Sequence, residues 1–332
     1  MPYFQPKVDI PSSLSFQGKT ILITGASAGI GLAATRLLLL RGAKEIIAGV
    51  RSVAKEEAEK SKILSDPEVK RANQNGTITV FHLNLEDYAG VLQFAKDVKQ
   101  RYTGKLDMVL LNAGTGSLNW EIMAKSGHEK TIQVNLLSPA LLALELLPTL
   151  EQTAALNGVP SRITWVGSFV QFDHALDKKP IKACGQVLKH FDNKENFVAQ
   201  ARYSDSKLLG TMFIEQLAKF VDPEEVIIND VSPGMVRTGF GEFPEWFRLI
   251  FLVLFGLKAR SPDRGAMTYL HALGVAGKES HGKYLSDNQI TERAPITRTK
   301  GGEEIRDNLW DEMWTDFLKV DKSLERPTRQ TL

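Results

Sequence analysis

Short β-branched apolar runs recur along the chain, each followed by a longer stretch whose apolar positions repeat at helical spacing. "TILITG" (20–25) has the pattern of a buried strand, and "AGIGLAATRLLLLRG" after it predicts a helix closed by Gly42. "KEIIAGV" (44–50) predicts a second strand, with a charged helix over roughly 53–64 behind it. "GTITVFHL" (76–83) is a third, followed by the helix "AGVLQFAKDVKQRY"; "LDMVLLNAG" (106–114) is a fourth. A long apolar helix runs through 129–147, "SRITWVG" (161–167) is a fifth strand, and a helix opens at "RYSDSKLLG" (202–210). "EVIINDVSPG" makes a sixth strand and "GKYLSD" (282–287) a seventh. Alternation of this kind demands a parallel sheet with helices on both faces, and right-handed crossovers make it doubly wound. With no repeat or linker, 1–332 is expected to be one domain, with insertions at 171–200 and 240–262 and a C-terminal extension over 290–332.

Composition narrows the class. At 43% hydrophobic and 24% charged residues the chain reads as globular, and a net charge of +2 gives no global case for nucleic acid. A single cysteine, Cys184, excludes an intrachain disulfide and suits a reducing, cytoplasmic compartment. The first residues lack the apolar core of a signal peptide, and no run of about 20 apolar residues predicts a membrane span. Six histidines show no paired-ligand spacing, so no metal site is expected.

The turn after the first strand, "TGASAGIG", holds Gly25, Gly29 and Gly31 directly before a helix. Glycines let the backbone approach a pyrophosphate, which rests on the positive end of the helix. In this Rossmann-type α/β context the turn predicts a dinucleotide. At the end of the second strand stand Arg51 and Ser52, with no acid before Glu56. A guanidinium suits a 2′-phosphate through forked, charge-assisted bonds, so NADP(H) is favoured over NAD(H).

Tyr203 and Lys207 lie one helical turn apart. Tyr3 and Lys7 share that spacing, but Pro6 makes a helix there improbable. A phenol titrates near pH ~10, and an ammonium at ~4 Å supplies about 4 kcal/mol at an effective dielectric near 20. Lys207 is therefore expected to make Tyr203 acidic enough to exchange a proton near neutrality. Within the apolar helix, Pro139 follows Asn135 by four residues and deprives its carbonyl of the usual intrahelical donor, freeing it for another partner such as water.

"TGASAGIG", "LNAG" (111–114), Val134–Asn135, "VGS" ending at Ser168, "YSDSK" and "SPGMVRT" (232–238) stand in the order and spacing of classical short-chain dehydrogenases/reductases. Over about 18–290 the chain resembles that family, and most of all its longer NADP-dependent members in filamentous fungi. The resemblance implies a catalytic tetrad of Asn135, Ser168, Tyr203 and Lys207, with the asparagine linked to the lysine through a water. It implies cofactor contacts from Gly25, Ser27, Gly29, Ile30 and Gly31 in the turn, and from Tyr203 and Lys207 themselves. It adds Asn84 and Leu85 beside the adenine, Asn112, Ala113 and Gly114 beside its ribose, and Val236 and Thr238 near the nicotinamide or phosphates. Two positions depart from the pattern: Asn84 stands where many relatives carry Asp, and Ala28 where NADP-users often carry a basic residue.

The implied activity is an NADPH-dependent carbonyl reductase or alcohol dehydrogenase acting on an apolar small molecule of the natural-product ketone class. Rival readings are epimerisation or elimination on the same scaffold, and a non-catalytic, cofactor-sensing interaction protein. The segment 240–262 is apolar and aromatic around "WFRLIFLVLFGL" (246–257), and is read as a hydrophobic lid, a membrane-surface helix or a contact in a dimer or tetramer. Trp120, Phe169 and Phe172 are further substrate walls or plain core.

Overall fold

The computed structural model describes residues 5–181, 185–239, 241 and 258–327. Cys184, Tyr3 and the aromatic run at 246–257 lie outside these residues. Eight strands form one sheet in the order β3-β2-β1-β4-β5-β6-β7-β8. They are β1 Thr20–Thr24, β2 Glu45–Val50, β3 Thr77–His82, β4 Met108–Leu111, β5 Ser161–Val166, β6 Val226–Ser232, β7 Tyr284–Ser286 and β8 Gln289–Thr291. All neighbours pair in parallel except β7 and β8. β8 is one strand more than the sequence pattern predicts. Its three residues are all exposed, so no apolar run marks it; Asp287 and Asn288, at φ 53° and 63°, make the tight hairpin that turns the chain back.

The helices are α1 Gly29–Leu40, α2 Val53–Ser65, α3 Pro67–Ala72 and α4 Tyr88–Tyr102. After them come α5 Lys130–Asn157, α6 Val187–Asp192, α7 Arg202–Leu217, α8 Pro262–Gly274 and α9 Lys300–Val320. Adjacent strand residues feed opposite layers: Leu22 packs into the cluster under α4, α5, α7 and α9, whereas Ile21 and Ile23 join the cluster under α1 and α8. Burial on both faces is why the strands read as unbroken apolar runs. α5 is long and apolar enough to cross a membrane, but 94% of its most apolar window is buried in the protein, as befits a core helix. α9 brings Trp310, Trp314 and Phe317 from the C-terminal extension into the same core.

The switch in strand order lies between β1 and β4, so the carboxyl ends of these strands open a crevice at the glycine turn.

Candidate active site

The glycine turn is built for something larger than a side chain. Gly25 and Gly29 take φ of +71° and +55°, where other residues are strained. A Cβ on Gly31 would stand 2.3 Å from the Gly25 carbonyl oxygen and 2.6 Å from Asn112 Nδ2. Ser52, Asp66 and Asp87 cap α2, α3 and α4 with their side chains, but Ala28 gives α1 no such cap. The first N–H groups of α1 are thus left to an outside acceptor, which fits a pyrophosphate. Ser27 and Ile30 are half-buried in the same turn. The loop after β6 closes over it: Thr238 Cγ2 lies 3.3 Å from where a Gly29 Cβ would be, and Val236 and Ile30 both pack at Gly265.

Asn112 acts on the turn from the neighbouring strand. Its Nδ2 donates to the carbonyls of Thr24 (2.8 Å) and Gly25 (3.2 Å), and Ala113 N donates to Thr24 Oγ1 (3.0 Å). Tyr269, which the sequence reading did not single out, donates to Asn112 Oδ1 at 3.1 Å. Asn84 Oδ1 accepts from Glu86 N (3.0 Å) and so caps its own loop, while the Leu85 carbonyl accepts from Ser138 Oγ (2.6 Å). Arg51 is exposed and pairs with Glu86 at 3.1 Å.

The four predicted catalytic residues come together one strand further on. Gly114 is the bridge: a Cβ there would lie 3.2 Å from Asn135 Oδ1 and 3.8 Å from Lys207 Nζ. Asn135 is buried in a π-helical turn, Gln133–Leu137, set into α5, where Ser138 N reaches back to the Gln133 carbonyl. The regular ladder is interrupted where the Asn135–Pro139 spacing places a missing donor. The Asn135 side chain exchanges bonds with both backbone groups of Thr115 (2.7 and 2.8 Å) and donates to Ser206 Oγ at 3.0 Å. Lys207 Nζ donates to the Val166 carbonyl at 2.7 Å and lies 5.5 Å from the centre of the Tyr203 ring. Ser168, just after β5, hydrogen-bonds the Tyr203 side chain and also accepts from Val170 N at 3.3 Å. Lys7, which shares that spacing with Tyr3, makes an exposed pair with Asp9 at 3.2 Å.

One expectation is corrected. Burial raises the Tyr203 phenol above its ordinary value, with the Ser168 hydrogen bond pulling the other way. Burial also pushes Lys207 down, to about 8, with Asp230 opposing. The reasoning from an ammonium at ~4 Å assumed a solvated phenol; in this packed site desolvation is the largest influence on it.

Three buried charged residues beside the tetrad were not foreseen. Arg202 has no exposure, lies 5.0 and 5.1 Å from the rings of Phe191 and Phe197, and donates to the Phe191 carbonyl at 2.6 Å. It thereby pins the 171–200 insertion to the first turn of α7, next to Tyr203. Asp205 adds a bond from Ala175 N at 2.7 Å. Asp230, also without exposure, sits in β6. Of the proposed walls, Phe172 is 47% exposed, and Trp120 is half-buried with Lys194 5.7 Å above its ring.

Comparisons with known proteins identify the family. Residues 19–172 match the family model for short chain dehydrogenases. The chain is 43% identical to short chain dehydrogenase yanD of Aspergillus niger over 96% of its own length and 97% of the relative's. It is 39% identical to the short-chain dehydrogenase/reductase tropG of Talaromyces stipitatus, over 96% and 97% of the two chains. The Pseudomonas aeruginosa RhlG/NADP complex has the same fold at a TM-score of 0.61 and 21% identity, covering 83% of this chain and 97% of that one. With relatives this similar along almost its whole length, the chain belongs to the short-chain dehydrogenase/reductase family and is an oxidoreductase.

Proposed function

We propose that the protein reduces an apolar ketone, or oxidises the matching secondary alcohol, with NADP(H), and that Asn135, Ser168, Tyr203 and Lys207 carry the reaction. The contiguity of the site supports this most: the glycine turn touches Asn112 and Ala113, Gly114 abuts Asn135 and Lys207, and Lys207 abuts Tyr203, which bonds Ser168. Bound nicotinamide would supply or accept the hydride. The uncapped end of α1 and the glycines would hold its pyrophosphate, and Arg51 would exchange Glu86 for the 2′-phosphate.

The chain's own residues handle the proton and the substrate oxygen. The Ser168 hydroxyl would donate to that oxygen and stabilise charge developing on it. A phenol raised by burial is protonated at neutrality, and an alkoxide is a stronger base than a phenolate, so in the reducing direction Tyr203 would deliver the proton to the nascent alkoxide. Lys207, fixed on the Val166 carbonyl, would keep a positive charge beside the phenolate left behind. Asn135 holds the loop after β4 against α7 through Thr115 and Ser206, which sets the distance between those elements. The likeness to fungal relatives and the exposed Phe172 support an apolar, natural-product-like substrate.

The test follows NADPH and NADH absorbance against a panel of apolar ketones, with Tyr203→Phe in parallel. Turnover with NADPH and a loss of about 10²-fold or more in the variant are expected. A variant that turns over at the wild-type rate would remove Tyr203 from the reaction.

A further inference from the structure

We propose that Asp230 is a positioning residue for this reaction: a buried carboxylate, packed behind the Val166–Ser168 turn, that keeps Lys207 charged and seated on the Val166 carbonyl. The proposal rests on the reading of Lys207 given above.

Asp230 lies in the middle of β6, paired with Trp165 of β5 and Tyr284 of β7. It has no exposure, and neither carboxylate oxygen has a well-formed hydrogen bond among the described residues. Such a group is costly unless nearby charge compensates it. The sheet makes room for it at one point, Gly167, where a Cβ would stand only 2.1 Å from Asp230 Oδ1. Gly167 separates Val166, the acceptor of Lys207, from Ser168. The carboxylate therefore backs the very turn that carries the serine and receives the lysine.

The groups around it form a chain. Lys207 and Thr211 are one turn apart on the same face of α7. Arg293 Nε donates to Thr211 Oγ1 at 2.9 Å, which places the guanidinium one turn along α7 from Lys207. Arg293 is shared with Glu215 at 3.9 Å, and Tyr284 faces the carboxylate from β7. Lys207 and Arg293 are the cations acting on Asp230. Burial raises Asp230 to about 6 and lowers Lys207 to about 8, so near neutrality the carboxylate is ionised and the amine protonated. Each charge supports the other. Without the carboxylate, burial acts on Lys207 unopposed, and its proton leaves at lower pH.

Asp230→Asn keeps the shape and removes the charge; Thr211→Val removes only the link to Arg293. The pH dependence of kcat/KM with NADPH and an accepted ketone should show an alkaline limit about one unit lower in Asp230→Asn, and a smaller displacement in Thr211→Val. NADPH binding, followed by fluorescence, should weaken more at pH 8 than at pH 6 in both. Unmoved limits in both variants overturn the proposal, even if their melting temperatures fall. Should Asp230→Asn not fold, Thr211→Val decides alone, and an unmoved limit there is sufficient to overturn it. A wild-type protein that neither binds nor oxidises NADPH would instead sink the reading of the site, and the role of Asp230 with it.

Discussion

His128 stands between two carboxylates, with Nε2 3.0 Å from Asp316 Oδ2 of α9 and Nδ1 2.9 Å from Asp192 Oδ2 at the end of α6. Tyr88 donates to the same Asp316 oxygen at 2.6 Å. The C-terminal helix and the insertion are thus tied to the body of the sheet at one imidazole, far from the glycine turn in sequence.

This tie predicts a pH-dependent stability. Burial alone would depress His128, but its bonds to Asp192 and Asp316 outweigh that and raise it to about 9. Burial likewise disfavours the Asp316 carboxylate, yet His128 and Tyr88 hold it down at about 2. A raised histidine contributes fully below its unfolded value of about 6.5 and loses its contribution as pH climbs through the folded value. A depressed aspartate contributes above about 3.9 and loses its contribution as pH falls toward its folded value. Urea unfolding of His128→Gln should show a loss of roughly 3 kcal/mol at pH 6 that shrinks toward pH 9. A loss constant across that range would mean that packing, not charge, accounts for the effect.

Gly31→Ala should impair the cofactor turn itself. The added methyl meets the Gly25 carbonyl and Asn112 Nδ2, which are bonded to each other while Asn112 Nδ2 also holds the Thr24 carbonyl of β1, so neither can yield cheaply. A destabilisation of about 1–3 kcal/mol is expected, with NADPH affinity reduced at least tenfold. Thermal melts with and without NADPH would measure both, and an unchanged cofactor-induced shift in melting temperature would contradict the expectation.

The strands were legible because both of their faces are buried, so Ile21, Leu22 and Ile23 read as one apolar run although they serve two layers. β8 was not, since Gln289–Thr291 buries nothing and its hairpin is set by backbone angles at Asp287 and Asn288. The Tyr203–Lys207 pair could be found from spacing and company, but the direction of the phenol's shift could not. That depends on how much protein surrounds the ring, a tertiary quantity. Arg202 and Asp230 acquire meaning only from the partners that folding brings to them: Phe191 and Asn196 for the first, Gly167 and the Thr211–Arg293 pair for the second. A charged residue in an otherwise apolar strand, as in "VIINDVS", is the signal that would have flagged Asp230.

Cofactor preference should depend on Arg51 and its neighbour together. The Arg51–Glu86 pair is exposed and weak, so a 2′-phosphate can replace the carboxylate, but only against that competition. Arg51→Ala should raise KM for NADPH about tenfold and leave KM for NADH nearly unchanged. Glu86→Gln should lower KM for NADPH about two- to fivefold. Equal responses of both cofactors to Arg51→Ala would remove the guanidinium from 2′-phosphate recognition.

The N-terminal segment should govern cofactor affinity from outside the site. The Gln5 carboxamide pairs with both backbone groups of Met235, donating at 2.9 Å and accepting at 2.7 Å, and also donates to the Lys258 carbonyl at 2.8 Å. Arg260 fastens the same place, reaching the carbonyls of Pro233 (3.0 Å) and Pro6 (2.8 Å). These bonds hold the start of the loop whose next residues, Val236 and Thr238, cover the glycine turn. Gln5→Ala gives up three hydrogen bonds worth about 1 kcal/mol each at most, so KM for NADPH should rise roughly tenfold with kcat little changed. If kcat falls and KM stays, the strap acts on the reacting groups and not on cofactor binding.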